Sequence, residues 1–346
     1  MKPCSFECAW SDLNSRLREI ESANGSLPAA LTELRRQQLE SGFIKDGLDG
    51  VQRYTFTHPR DAEKLFRAQY NPKRALRFNG AGRSVAPDGV VAANGGCFLC
   101  RDNIRWQQRG AQLGYEIPLS LGPYFAWMNP FPLLPMHVVV ASAEHKSQEW
   151  ILRGTALNGA SRLLGDLLEL ADRMPGYFGY FNGLNAGASI PDHLHFHFCR
   201  RPYDTPEFPL EHAARSATLS DGHAGLIKDY PLVGALWRGG RQDVFERAWS
   251  WIERWAKQNK RRLGGVTANL LATKDETGGT LNLYFMPRAR GDSMIDHGSE
   301  HIGGLEVLGE FVFSNPEEKF LLDSGAISYF SLEERLAQLY TPLYLT

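Results

Sequence analysis

The residues best suited to chemistry stand together at His193-Leu194-His195-Phe196-His197-Phe198. Side chains along a strand alternate between its two faces. Leu194, Phe196 and Phe198 then face a core, and the three imidazoles share the opposite face, roughly 7 Å apart at ~3.3 Å rise per residue. Such a row can ligate a metal, attack phosphorus or donate to phosphate oxygens. A single strand histidine is ordinarily a satisfied polar residue. Three of the chain's ten histidines on one face of one short strand mark a site. Just upstream, Gly183 and Gly187-Ala188-Ser189 form a small-residue turn that lets backbone N–H groups approach an anion.

Two further groups carry chemistry. Cys97-Phe98-Leu99-Cys100, preceded by Gly95-Gly96, reads as a redox pair or as half of a zinc site that needs two more ligands from elsewhere. Arg74 and Arg77 sit in the loop-like stretch NPKRALRFNGAGR, where guanidinium forks can reach phosphate oxygens, although such a pair alone is commonly solvated surface.

The elements that position these groups follow from periodicity. Residues 1–66 read mostly as helix, with leucines at helical spacing broken by Gly25 and Pro28, and form a helical N-terminal cap. Short strands are expected at 124–127 and 136–141, separated by the turn Asn129-Pro130-Phe131-Pro132, with a helix beginning near His145. The leucines of 156–173 predict an amphipathic helix ended by Pro175-Gly176, and the histidine strand follows. A helix over 244–255, a hairpin of strands 267–273 and 281–286, and a helix from Ser331 with Glu334 as its capping-box partner repeat that logic in the second half, without a histidine row.

Bulk composition narrows the class. The 346 residues suffice for one large domain or two ordinary ones, and 43% hydrophobic with 22% charged residues is a soluble globular balance. A net charge of -1 argues against nucleic acid or an anionic membrane as partner, and no apolar run approaches a membrane span. The N-terminal sequence MKPCSFECAW has no apolar signal region, so a cytoplasmic location is expected. Five cysteines, an odd number with one CxxC, favour thiols or metal binding over a disulfide framework, and Cys4 and Cys8 read as unpaired thiols.

The string FNGLNAGASIPDHLHFH, with its His-φ-His-φ-His-φ core, resembles the histidine-triad superfamily, and most of all its nucleotidyltransferase branch. That branch holds the GDP-hexose phosphorylases, the diadenosine-tetraphosphate phosphorylases and galactose-1-phosphate uridylyltransferase. NPFPLLPMHVVVASAEH is similar to the branch's Asn-Pro-Phe-Pro entry and histidine strand, and QYNPKRALRF to its phosphate-binding arginine segment. TANLLATKD, LNLYFMPR and GLEVLGEFVF resemble the degenerate second repeat of two-repeat members. The resemblance implies an α+β fold of two tandem repeats with antiparallel sheets and flanking helices. Residues 1–66 would be the cap, 67–215 the catalytic repeat and 216–346 the degenerate one.

Carried onto this chain, the resemblance makes His195 the nucleophile that takes up a nucleotidyl group, its other ring nitrogen held by a backbone carbonyl within 182–189. His197 would hold a phosphate oxygen or leaving group, and Arg74, Arg77, Asn182 and Ser189 would contact phosphates. Cys97, Cys100, His145 and His193 would bind a structural zinc, with His137 as an alternative ligand. The implied activity is phosphorolysis of a nucleoside diphosphate sugar or dinucleoside polyphosphate, with phosphate as second substrate and a homodimer as an assembly common among relatives. The branch usually has Gln where this chain has His197, and the loop 189–193 is one residue longer than its relatives'. Both features keep open the acceptor, which could also be water or a sugar 1-phosphate; a non-catalytic nucleotide-binding or zinc-stabilised scaffold is the alternative from a different class.

Overall fold

The computed structural model describes residues 5–44, 48–76, 83–107, 111–120, 122–149, 159–217, 224–259, 266–277, 279–289 and 302–343. Two helices open the chain, α1 (Phe6–Asn24) and α2 (Leu27–Glu40). The strands β1 (Gln52–His58) and β2 (Asp61–Tyr70) follow as an antiparallel hairpin. The expected helical cap therefore stops at residue 40. Alternating Tyr54, Phe56 and the run LFRAQY have the period of a strand, and β2 also pairs with β12 (Glu310–Phe313). Cys8 is disulfide-bonded, where the sequence suggested a thiol.

The central sheet has nine strands. Its first half contains β3 (Tyr115–Leu119), β4 (Gly122–Met128), β5 (Val138–Ser142), β6 (Tyr177–Asn182) and β7 (His195–Arg200). Its second half contains β8 (Gly225–Ile227), β9 (Gly234–Gly239), β10 (Val266–Lys274) and β11 (Leu281–Ala289). The order β3-β4-β5-β7-β6-β10-β11-β9-β8 places the two halves side by side. The remaining helices are α3 (Arg101–Ile104), α4 (Ala160–Arg173), α5 (Pro209–Ala213), α6 (Arg241–Asn259), α7 (Gly304–Val307), α8 (Pro316–Asp323) and α9 (Tyr329–Ala337).

One connectivity occurs twice. In β5–α4–β6–β7 the last strand inserts between the first two, and β9–α6–β10–β11 does the same. The copies meet where β6 pairs antiparallel with β10. This is the tandem-repeat α+β arrangement expected from the resemblance. Two local expectations fail. Residues 143–149 are coil, not helix, because their backbone bonds go to the histidine loop. The last helix starts at Tyr329, because Ser328 is its N-cap and Ser331 the reciprocal partner three residues on.

The sheet is buried on both faces. Leu194, Phe196 and Phe198 join the leucines of α4 and the tryptophans of α6 in one core, as the period-two pattern requires. The β1–β2–β12 layer and helices α5, α7, α8 and α9 build a second core against Phe178, Tyr180 and Tyr284. Among the described residues no helix is long and apolar enough to cross a membrane.

Helix α4 is pinned to β4 by a polar bond. The Tyr124 hydroxyl donates to Asp166 Oδ2 at 2.5 Å, with Arg162 Nε 3.8 Å away. Burial pushes the Asp166 carboxyl up to about 6, only partly opposed by the Tyr124 hydrogen bond and Arg162. The folded state then holds its proton more tightly than the unfolded one, so stability falls as pH rises from about 4 to 6. Asp166→Asn should remove that slope and raise the melting temperature more at pH 7 than at pH 4, by about 1–3 kcal/mol of stability at the higher pH. Equal shifts at both pH values in thermal melts would contradict it.

Candidate active site

His195 opens β7, buried, on the face opposite the leucine core. Its Nδ1 lies 2.7 Å from the carbonyl oxygen of His193. Gln148 Nε2 also lies 3.0 Å from Nδ1, but the carbonyl contact is the shorter and a carbonyl can only accept, so we assign the ring hydrogen to Nδ1 and the lone pair to Nε2. The acceptor is thus the carbonyl two residues upstream, in the bend just before β7, not one within 182–189. The backbone of His195 is clamped by the buried Gln148. Its Oε1 accepts the His195 N–H at 3.2 Å, and its Nε2 lies 3.3 Å from the His195 carbonyl, to which it donates, and 3.0 Å from His195 Nδ1. Gln148 itself is held by Pro191 O and Leu184 N–H. Lying in coil without periodicity, it left no sequence signal.

His197, one pleat further along, has the opposite tautomer. The Leu133 N–H donates to His137 Nδ1 at 3.1 Å, which places the His137 hydrogen on Nε2. His137 Nε2 lies 2.9 Å from His197 Nδ1 and donates to it, so the His197 hydrogen sits on Nε2. Tyr180 stacks on the His197 ring, 4.8 Å between centroids and 16° between planes. Met136, immediately before His137, has φ of 53°, a left-handed conformation that a side chain bears only under constraint. The alternative role of His137 as a metal ligand does not apply, since both its nitrogens are engaged in this relay.

The first triad histidine does different work. His193 Nε2 lies 2.8 Å from Ser142 O and donates to it, so the lone pair is on Nδ1. That nitrogen is 3.3 Å from Cys97 Sγ, 3.6 Å from Cys100 Sγ and 3.2 Å from His145 Nδ1. His145 Nδ1 is 3.3 Å from Cys100 Sγ. The four donor atoms lie within 4.8 Å of one another. Tetrahedral zinc with bonds of ~2.0–2.3 Å would set its ligands about 3.3–3.8 Å apart. Sulfur and nitrogen lone pairs converging at these separations repel one another unless a thiol proton or a metal cation sits between them. The cluster could hold a metal ion. The Cys100 thiol, and next His193, hold the Cys97 thiol down to about 4, which favours the ligating thiolate. Gly96 makes the turn into the cluster possible: its φ is 79°, and a Cβ there would meet Ser84 O at 1.9 Å.

His195 and His197 open onto a cavity of about 130 Å³ that Arg74, Ser189, Ile190, Phe98 and Trp127 also line. Arg74 leaves a short 3-10 turn, and its Nη1 donates to Phe131 O at 2.9 Å in the Asn-Pro-Phe-Pro loop. Arg77 lies outside the described residues. Asn182 does not line the cavity. Its Oδ1 accepts from Gly304 N–H at 2.7 Å and Asn269 Nδ2 at 2.9 Å, tying the first repeat to the second. Gly187, at φ 86°, packs where a Cβ would meet Gly303 Cα at 2.4 Å. A larger cavity of about 430 Å³ beside β2, α5 and α9 contains none of these residues, so volume does not locate the chemistry.

A family profile described as a domain of unknown function (DUF4922) matches residues 34–200. No curated protein is significantly similar in sequence. Among solved structures, yeast Ap4A phosphorylase Apa2 in complex with AMP is similar at TM-score 0.59 and 14% identity, over 89% of this chain and 96% of that one. The same yeast protein in two other structures, one of them in complex with Ap4A, gives TM-scores of 0.56 and 0.55 at 15% and 12% identity. Each covers 90% of this chain, and 96% and 99% of the other chain respectively. At such identities the likeness establishes the fold, which is the histidine-triad-like one.

The ring tautomers are testable without any substrate. Nitrogen NMR near neutral pH should report Nδ1–H for His195 and Nε2–H for His197. His137→Leu should return His197 to a mixture while leaving His195 unchanged; a His197 ring indifferent to this replacement would show that the relay does not set its tautomer.

Proposed function

We propose that this chain is a nucleotidyltransferase that works through a covalent nucleotidyl-His195 and releases its product by phosphorolysis. Residues 67–215 are then the catalytic repeat and 216–346 its degenerate partner. The observation that carries the reading is the pair of opposite tautomers at the mouth of one cavity. An Nε2 lone pair on His195 stands beside an Nε2–H donor on His197. The substrate class is a nucleoside diphosphate sugar or a dinucleoside polyphosphate.

The first step forms an Nε2–P bond to the α-phosphorus and breaks the bond from that phosphorus to the bridging oxygen. The electron pair leaves on that oxygen, as a sugar 1-phosphate or a nucleoside polyphosphate, and His197 Nε2–H donates a hydrogen bond to it. Inorganic phosphate then attacks the same phosphorus, breaks the P–N bond and leaves as part of a nucleoside diphosphate. Splitting one displacement into two between fixed donors is covalent catalysis with electrostatic support. Arg74 and Ser189 line the same cavity and supply phosphate contacts; Arg77 and Asn182 belong to the same proposed set, Asn182 by holding the turn at Gly187. A second reading, hydrolysis with water as acceptor, is favoured by the histidine at position 197.

His195→Ala should cost at least about a thousandfold in turnover, and mass spectrometry of the unmodified protein with substrate but no phosphate should show a nucleotidyl adduct on His195. Full turnover in the variant would remove the covalent mechanism. Across a panel of nucleotide sugars and dinucleoside polyphosphates, a nucleoside diphosphate released only with phosphate supports phosphorolysis; a monophosphate released without it supports the hydrolase.

The same reading assigns Cys97, Cys100, His145 and His193 to structural zinc, a Cys₂His₂ set suited to a closed tetrahedral site. When bound, the ion supplies a fixed crosslink between two loops and the nucleophile strand. Purified protein should then carry one zinc per chain, and chelation should lower its melting temperature. Metal-free protein with an unchanged melting temperature would refute the assignment.

A further inference from the structure

The cavity runs from the histidines along the sheet. His197, Val139 and Trp127 lie side by side across β7, β5 and β4. With strands ~4.8 Å apart, Trp127 stands about 10 Å from His197. At this far end lies Gln112. It sits two residues before Gly114, which abuts the indole so closely that a Cβ there would come within 2.6 Å of it.

Gln112 and Trp127 are 3% and 2% exposed. Gln112 Oε1 and Trp127 Nε1 each lack a hydrogen-bond partner among the described residues. A buried acceptor and a buried donor without partners are each unfavourable, and they are uncommon in folded proteins. Both residues line the cavity that His195 and His197 also line. The turn that presents Gln112 is fixed from outside. Gln38 of α2 accepts the Leu113 N–H at 3.2 Å and donates to Ala111 O at 3.1 Å, so both neighbours of Gln112 are tied.

We infer that Gln112 and Trp127 read the edge of an adenine base. Resting on the nucleotidyl-transfer reading above, this names the nucleotide that the site takes. The exocyclic amine of adenine donates to Gln112 Oε1, and a ring nitrogen beside it accepts from Trp127 Nε1–H. Hypoxanthine carries a carbonyl where adenine has the amine, and sets acceptor against acceptor at Gln112. Phe98, between the two cluster cysteines, also lines the cavity and gives the base an apolar face to stack on. The span of about 10 Å from His197 to Trp127 suits an α-phosphate at one end and a base at the other.

The test is calorimetric binding of AMP and IMP to the full chain. AMP should bind about ten- to a hundredfold more tightly than IMP. Gln112→Leu should bring AMP down to the IMP level while the melting temperature stays close to that of the unmodified protein. Equal affinities in the unmodified protein, no binding of either nucleotide, or an unchanged ratio in the variant would each overturn the assignment. None of these touches the adduct on His195, which is scored by mass. Conversely, AMP discrimination that depends on Gln112, in a protein whose His195→Ala variant turns over normally, would leave the base reading standing and remove the covalent mechanism.

Discussion

One hydrogen bond, from His195 Nδ1 to the carbonyl of His193, fixes most of the site. It chooses which nitrogen of His195 keeps its lone pair. It also makes the His195 ring depend on where the His193 backbone lies. That backbone is fixed from the side chain outward, because the His193 ring is bonded to Ser142 O through one nitrogen and enters the Cys/His cluster through the other. Gln148 clamps the backbone of His195 itself. The loops around 97–100 and 143–148, distant in sequence, therefore hold a single imidazole. Under the proposed mechanism, a ring fixed in advance spares the reaction the cost of arranging it later.

The histidine row was legible because a strand's period of two is unambiguous when three imidazoles alternate with apolar residues, and β7 buries Leu194, Phe196 and Phe198 accordingly. The cluster of Cys97, Cys100, His145 and His193 came from resemblance, since spacing alone left His137 open. The relay from Leu133 through His137 to His197 could not be read, because it depends on a backbone N–H delivered by a turn. Gln148 and Gln112 were likewise invisible. Each lies in coil, where no periodicity marks a residue, and each acts through contacts with residues far away in the chain. The strands of residues 52–70 were missed for another reason: their hydrophobic pattern is partly exposed, and much of their pairing partner β12 lies some 240 residues on.

The parts without histidines still shape the site. Helix α2 does more than cap the fold, since Gln38 holds the turn on both sides of Gln112. The second repeat keeps the strand–helix–strand–strand plan, but its β11 carries Leu283, Tyr284 and Phe285 in the place that β7 fills with histidines. What it contributes is position. Asn269 of β10 and the Gly304 backbone both bond to Asn182 Oδ1, which fixes the end of β6 from which the turn to Ser189 departs. A pseudo-symmetric sheet can give up chemistry in one half because β6 and β10 pair along their length, and that pairing needs no particular side chain.

The tautomers also bear on the leaving group. His197 in its neutral form has one hydrogen, on Nε2, and its Nδ1 is occupied by the His137 donor. Giving that hydrogen away completely would create an imidazolate unless His137 passed its own across, and the Leu133 N–H that His137 Nδ1 accepts does not ionise in this range. Neutral His197 therefore serves as a hydrogen-bond donor, not as a source of a proton. An alkoxide leaving group needs a full proton. A phosphate oxygen, whose second pKa is about 6, departs as a stable anion and needs only a donor to hold its charge. Under the proposed mechanism, such a donor suits substrates in which the α-phosphorus is joined to another phosphate, as in a nucleoside diphosphate sugar or a dinucleoside polyphosphate.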